Sequence, residues 1–543
     1  MPGRNLIAIL FLAVFVTTAK LCAPSIKARH QPVISKDFNV LEATIADIHA
    51  ALKSKRLTCR ELVNLYLKRI EAYDKAGPHL NAVQTINPRA FEEADRLDQA
   101  LRSSGFLGPL HCIPVLVKDQ IETIDMPTTY GSVLFKDFIP QREATIVTKL
   151  KKAGALILGK ATMGEFASGY LGSAFGIIRN AYDPRRAPSG SSGGTGSGIA
   201  ANFATVGIAE DTGGSIRGPA AVHSLVGLRP TVPLVSRYGM MPSLPTTDTL
   251  GPITRTVRDA AILMDVIAGY DPNDPMTAYA FGQIPESYTR LLHKEGLRGA
   301  RIGVIREPMD VKAEPASEDY KRFRVVTDKA ILDLKKLGAQ VIDPVPIPEL
   351  KDRMVKIYGN NQFETEAATD SYLAQHAKAP VKTLREILIS GRVVPARAAT
   401  LMKNVGRSTN ETAYLQLLLL REETRQLTLA LMADHRLDAL VYATFDQAPP
   451  LLTDDVLTNP KTDLVGPGNN RRLSPALGFP AITVPAGFTV ENLPVGLEFL
   501  GRPFAETTLF KLAYAYEQGT RNRKPPASTP ALTGESSSAL EEK

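Results

Sequence analysis

From Glu42 to Leu52 the apolar residues Ile45, Ile48 and Leu52 recur on one face of a predicted helix. Thr58-Cys-Arg-Glu61 has the spacing of a capping box and opens a second amphipathic run through Leu62, Val63, Leu65, Tyr66 and Ile70. A third helix is predicted over Asn87 to Leu101. The pattern then changes, and Ile113-Pro-Val-Leu-Val117 is a continuous apolar run that reads as a buried strand ending at Lys118. Glu143 to Lys152 is helical again, Gly154 stops it, and Ala155-Leu-Ile-Leu-Gly159 reads as the next strand. Further along, Thr256 to Gly269 is helical, and strands at Arg301–Ile305 and Gln340–Ile342 bracket a helix over Ser317–Leu337. Asp352 to Arg425 is a long helical section rich in Lys and Arg. Leu437–Tyr442, Ala481–Val484 and Gly496–Leu500 read as strands, and Glu506 to Arg521 as a closing helix. Alternating strands and helices of this kind predict an α/β fold with a mixed sheet.

Length and composition narrow the class. A chain of 543 residues suggests about three domains on length alone. Its 44% hydrophobic and 22% charged content is that of a globular protein that can bury a large core. The formal net charge is +8, but the cations are interspersed with acids, as in Lys53-Ser-Lys-Arg56 near Glu61, so they read as solvated surface and no nucleic-acid partner is expected. Cys59 and Cys112 are too few for a disulfide framework or a zinc site. Both read as structural, and whether they pair stays open. No metal or cofactor is expected.

The two ends differ from the middle. Arg4, the apolar run Leu6 to Val16 and the small residues Thr17-Thr-Ala19 predict a secretory signal peptide over residues 1–19, and hence a secreted or periplasmic protein. The run is short for a membrane span, so no stable span is expected. An uncleaved N-terminal anchor and an apolar tail kept in the cytosol are the alternatives. Residues 527–543 are small and polar and predict a disordered tail. Asn410-Glu-Thr412 is a glycosylation sequon.

The candidate chemistry lies between Ser189 and Pro219, where two Gly/Ser clusters flank an apolar segment. A flexible linker is disfavoured by the apolar residues within the stretch. Gly196-Ser-Gly198-Ile-Ala-Ala201 matches a loose dinucleotide pattern, but no strand precedes it. Gly190-Ser-Ser192-Gly-Gly194 fits a nucleophile elbow with Ser192 as nucleophile, with His223, His293, His376 and His435 as available bases. The other reading has Ser215 as nucleophile after Asp211-Thr-Gly-Gly, where backbone N–H groups converge, and Lys118 as base, since a lysine at the end of a buried strand is poorly solvated.

Several segments together resemble the amidase signature family: Lys118 with its strand, Gly190–Gly194, Gly207–Arg217, Val226-Gly-Leu-Arg-Pro-Thr231, Leu250-Gly-Pro-Ile-Thr-Arg255, Gly478–Gly487 and Leu493–Glu498. The resemblance runs from about Val40 to Pro526. It implies one large α/β domain over residues 40–526 and not three, and a Ser–Ser–Lys group whose positions are Ser215, Ser191 and Lys118. It also implies that Ser191 follows a non-proline cis peptide, that the backbone N–H groups of Thr212, Gly213, Gly214 and Ser215 form the oxyanion hole, and that Asp211 and Arg217 brace the loop. The activity expected is hydrolysis of a carboxamide of a small molecule or peptide. A glutaminase subunit of a glutamyl-tRNA amidotransferase and a non-catalytic binding relative are the alternatives, and homodimerisation is open.

Overall fold

The structure, a computed structural model, describes residues 38–359, 362–533 and 535. The signal-peptide reading of residues 1–19 lies outside the described residues. Among those described, an 11-stranded mixed sheet runs through one large α/β domain. Its strands in chain order are β1 (Val83–Ile86), β2 (Pro114–Lys118), β3 (Leu156–Ala161), β4 (Val206–Asp211), β5 (Val226–Arg229), β6 (Thr249–Thr254), β7 (Arg301–Val304), β8 (Gln340–Ile342), β9 (Ala439–Ala443), β10 (Ala481–Phe488) and β11 (Pro494–Leu500). They lie side by side in the order β1-β3-β2-β4-β6-β5-β10-β11-β9-β7-β8. β2 runs parallel to β3 and β4, and β7 runs parallel to β8 and β9. The other pairings are antiparallel.

Helices cover both faces of the central strands, so every residue of β2, β3 and β4 is buried. That is why these strands read as apolar runs and not as alternation. The capping box predicted at Thr58 and Glu61 forms as expected, and Cys59–Tyr73 is a helix. Two strands that the hydrophobic pattern does not reveal, β5 and β6, lie next to each other in the middle of the sheet. Their glycines and proline break the apolar run. Gly251 is required there, since a Cβ would lie 2.3 Å from the Leu228 carbonyl oxygen. The helix expected over Asn87–Leu101 starts later, at Ala90, because the Asn87 side chain accepts the Arg89 N–H at 2.8 Å and holds a turn there.

The Gly/Ser cluster holds a larger departure from expectation. Gly193–Ala200 is an α-helix, although glycine is a poor helix former. Packing decides the matter. A Cβ on Gly194 would sit 2.3 Å from the Thr162 carbonyl oxygen and 2.5 Å from that of Ala82. On the opposing strand, a Cβ on Gly207 would meet the Thr195 methyl at 2.5 Å. The helix therefore lies closer to the sheet than any side chain would allow, and it is the absence of Cβ atoms that makes room.

Cys59 and Cys112, whose pairing the sequence left open, form a disulfide. The expectation of disorder from residue 527 is corrected at its start. The buried Arg69 donates to the carbonyls of Thr529 at 2.8 Å and Pro530 at 3.1 Å and pairs with Glu535 at 2.7 Å, which fastens this segment to the domain. Among the described residues no helix is long and apolar enough to cross a membrane.

Because backbone oxygens cannot be pushed aside as a flexible side chain can, Gly194→Ala should destabilise the protein by about 1–3 kcal/mol or prevent folding. Thermal unfolding of the variant beside wild type checks this. Unchanged stability would mean that the helix does not sit this close to the sheet.

Candidate active site

β2 and β4 are parallel neighbours with Val117 paired to Ile208. Their C-terminal ends therefore deliver Lys118 and the Glu210–Asp211 pair to the same place. Lys118 is fully buried, with its Nζ 2.7 Å from Ser191 Oγ and 2.6 Å from Glu210 Oε2. Burial pushes the ammonium below its ordinary value, while the nearby carboxylates, Glu210 foremost, oppose that shift. The peptide bond between Gly190 and Ser191 is cis, as the family resemblance implies.

Ser191 and Ser215 line one cavity of about 390 Å³, with Thr212, Gly213, Tyr358 and Arg471 among the other lining residues. Ser192 does not share this setting. It is completely buried and donates to the Glu210 carbonyl at 3.2 Å, and no strand leads into it, so the elbow reading loses its nucleophile. The histidines are placed elsewhere. His223 is bound through Nδ1 to the Pro219 carbonyl at 2.7 Å and through Nε2 to the Ala181 N–H, and burial pulls it down to about 4. His376 pairs with Glu122, and His435 caps the helix Thr412–Asp434.

Asp211 organises the loop that carries Ser215. Its carboxylate accepts the N–H of Gly214 at 2.7 Å and that of Ile216 at 3.1 Å, and it pairs with Arg217 at 3.2 Å and Arg229 at 3.1 Å. Arg217 also pairs with Glu498. Burial alone would raise the Asp211 carboxyl, but the two guanidiniums and the N–H donors outweigh it and hold it far below the usual carboxylate range. One expectation is corrected by this geometry. Of the four backbone N–H groups expected at the oxyanion hole, that of Gly214 is already given to Asp211.

Three residues that sequence reasoning missed complete the site. Glu210 carried no signal beyond being a carboxylate beside Asp211. Asp248, just ahead of β6, is buried and accepts the N–H groups of Ser243 at 2.7 Å and Leu244 at 3.0 Å. Arg471 comes from a segment with no readable motif. Its Nη1 reaches Ser189 Oγ at 2.8 Å and the carbonyls of Gly190 and Gly214 at 3.2 Å, tying the two glycine clusters together. Gly214, at φ +116°, has to be glycine, since a Cβ would meet the Arg471 side chain at 2.3 Å.

The amidase family model matches residues 61–510, a span that contains every group just described. The chain belongs to the amidase signature family. It is 34% identical over 532 residues to a probable amidase of Arabidopsis thaliana, covering 92% of this chain and 94% of that one. It is 35% identical over 502 residues to a glutamyl-tRNA(Gln) amidotransferase subunit of an Exiguobacterium species, covering 90% and 100%. The crystal structure of peptide amidase from Stenotrophomonas maltophilia superposes with a TM-score of 0.78 at 34% identity, covering 89% of this chain and 98% of that one. This amidase is accordingly a hydrolase of carbon–nitrogen bonds on the single-domain α/β fold of its family.

Asp211→Asn should cost the amidase about 3–5 kcal/mol, because it leaves Arg217 and Arg229 buried with one negative charge fewer. The pH dependence has a definite sign. A carboxyl held below its ordinary value contributes stability that is present above about pH 4 and lost as the pH falls further. Between pH 7 and pH 3 the melting temperature of wild type should therefore fall more steeply than that of Asp211→Asn, a comparison read directly from thermal melts.

Proposed function

We propose that the enzyme hydrolyses carboxamides, peptide amides among them, through a covalent acyl-enzyme on Ser215. The observation that carries this reading is the buried Lys118 amine 2.7 Å from Ser191 Oγ, at a cavity that Ser191 and Ser215 both line. A lysine at its ordinary value near 10.4 is protonated at neutral pH and cannot act as base. Burial favours the neutral amine, which takes the Ser191 proton while Ser191 takes that of Ser215. The Ser215 oxygen attacks the amide carbonyl, and the N–H groups of Thr212, Gly213 and Ser215 receive the developing negative charge. The same proton returns through Ser191 to the leaving nitrogen, and the C–N bond breaks. Water then repeats the sequence on the acyl-enzyme and releases the acid. Asp211 and Arg217 hold the loop and take no part in the proton transfers.

Two further features bear on the substrate. The likeness to a peptide amidase supports amides at peptide termini. The cavity is lined by the cations Arg397, Lys403, Arg471 and Arg472 with no carboxylate among its described lining residues, which favours amides that also carry an acidic group. The likeness to an amidotransferase subunit supports a second reading, release of ammonia from glutamine for a partner. A panel of peptide amides, aryl amides and glutamine, each with the purified enzyme alone, separates the two.

The N-terminal pattern of Arg4, Leu6–Val16 and Thr17-Thr-Ala19 supports export to the periplasm or the exterior. N-terminal sequencing of the protein from its native host should find cleavage near Ala19, and an intact Met1 on a cytosolic enzyme would reject export.

A fluorophosphonate should label Ser215, and Ser215→Ala should abolish labelling and turnover together. Label on Ser192 would defeat the assignment. An amine must be protonated before it leaves, whereas the alkoxide of an activated ester departs unaided. Lys118→Ala should therefore lower kcat/KM for an amide by at least about 100-fold, and by less for a matched ester. Ser191→Ala should act in the same direction, and the double variant should lose no more than either single one, since the two groups act as a unit.

A further inference from the structure

The catalytic cavity carries positive charge that its own walls do not balance. Of the cations that line it, Arg471 and Arg472 come from one segment, and neither pairs with a carboxylate among the described residues. Arg471 stands beside the chemistry. Its Nη1 reaches the carbonyl of Gly214, the residue before Ser215, and that of Gly190, the residue before Ser191, each at 3.2 Å. Nη1 also donates to Ser189 Oγ at 2.8 Å, and Nε donates to Asn469 Oδ1 at 2.8 Å. A guanidinium has five N–H donors, and these bonds engage Nε and Nη1 alone. Nη2 has no hydrogen-bond partner among the described residues.

Every partner of Arg471 is neutral. Its guanidinium is buried over the Phe445 ring, 4.8 Å from the ring centre. Burial and the charge of Arg472 pull it down to about 9, as expected of a cation held without an anion. Arg472 lies 4.8 Å over the Tyr358 ring, and its guanidinium makes no hydrogen bond among the described residues. Two guanidiniums therefore border the cavity with donors to spare.

The reaction itself supplies the missing anion. A carboxamide is neutral at the carbon that Ser215 attacks. Deacylation breaks the bond between that carbon and the Ser215 oxygen and joins the carbon to the oxygen of water. One proton of that water restores the Ser215 hydroxyl. The other leaves the new acid at neutral pH, since carboxyl groups ionise near pH 4. A negative charge thus appears in the cavity only once the amide has been cleaved.

We propose that Arg471 and Arg472 form a carboxylate-binding site that retains the acid product, so that the enzyme is inhibited by the acid it releases. The proposal rests on the reading of Ser215 as the nucleophile and goes beyond it. The ligand class is a carboxylate whose carbon was the amide carbon of the substrate. Turnover slows as this acid accumulates, and the acid competes with the amide for one cavity.

Calorimetric titration of the purified full chain tests the site without relying on turnover. The probes are a neutral N-acetylated dipeptide amide and the acid made from it by hydrolysis. Both are titrated into Ser215→Ala, which cannot convert one into the other. The acid should bind about tenfold or more tightly than the amide, the worth of one hydrogen bond to a charged group. In the same background Arg471→Gln should remove the preference and Arg472→Gln should reduce it severalfold. Arg471 also ties two loops together, so Arg472→Gln decides the matter if Arg471→Gln does not fold. With wild type, the acid should inhibit amide hydrolysis competitively. Equal binding of acid and amide, or a preference that survives intact in Arg472→Gln, overturns the proposal. Continued hydrolysis by Ser215→Ala sinks the nucleophile assignment instead, and the paired titrations of the two arginine variants still decide the site.

Discussion

A carboxylate buried between two arginines cannot be moved or neutralised cheaply, and Asp211 is such a group. Its oxygens fix the N–H groups of Gly214 and Ile216 on either side of Ser215, and its charge holds Arg217 and Arg229 where they reach Glu498 and Thr247. The end of β4, the serine loop, the short helix Arg217–Ala221 and the neighbouring strand β5 are thus locked to one another through a single side chain. The same strand end aims Glu210, one residue earlier and on the opposite side of the strand, at Lys118. Period-two alternation at one strand terminus therefore separates two tasks, with Asp211 shaping the loop and Glu210 meeting the Lys118 amine.

Close approach of backbones is the second constraint. The helix Gly193–Ala200 packs on β2, β3 and β4 at a distance that excludes Cβ atoms, and the cis peptide before Ser191 lies in the turn that leads into it. Gly190 itself would place a Cβ 1.8 Å from the Gly169 carbonyl oxygen. Arg471 then ties this turn to the Ser215 loop from above. Glycine is commonly a source of flexibility, but here it serves density: dropping side chains lets two strand ends, a helix and two loops meet around one amine.

Local pattern carried a large part of this into the sequence. The capping box at Thr58, the apolar runs of β2 and β3, the helix after Thr256 and the helix Glu318–Lys336 each announce themselves, because their signals depend on residues within a few positions of one another. The positions of Lys118, Ser191 and Ser215 were also legible, through the length of the motifs that contain them. The Gly-rich helix was not, since its stability comes from contacts with Thr162, Ala82 and Thr195 and nothing in its own composition favours a helix. β5 and β6 were hidden for the same reason, their glycines and proline being tolerated only by the strands that flank them.

What the sequence determined by itself is the α/β class, the apolar strands, the caps and the set of groups able to perform amide chemistry. Tertiary structure alone decided which carboxylates face the lysine. Glu210 and Asp211 are adjacent and chemically alike, yet one meets an amine and the other two guanidiniums, because strand alternation and register against β2 send them to opposite sides. Asp248 and Arg471 reach the site from far along the chain, and no local pattern records where a crossover will bring a side chain. Charge in a buried site is set by neighbours within a few ångströms, and those neighbours are chosen by the fold.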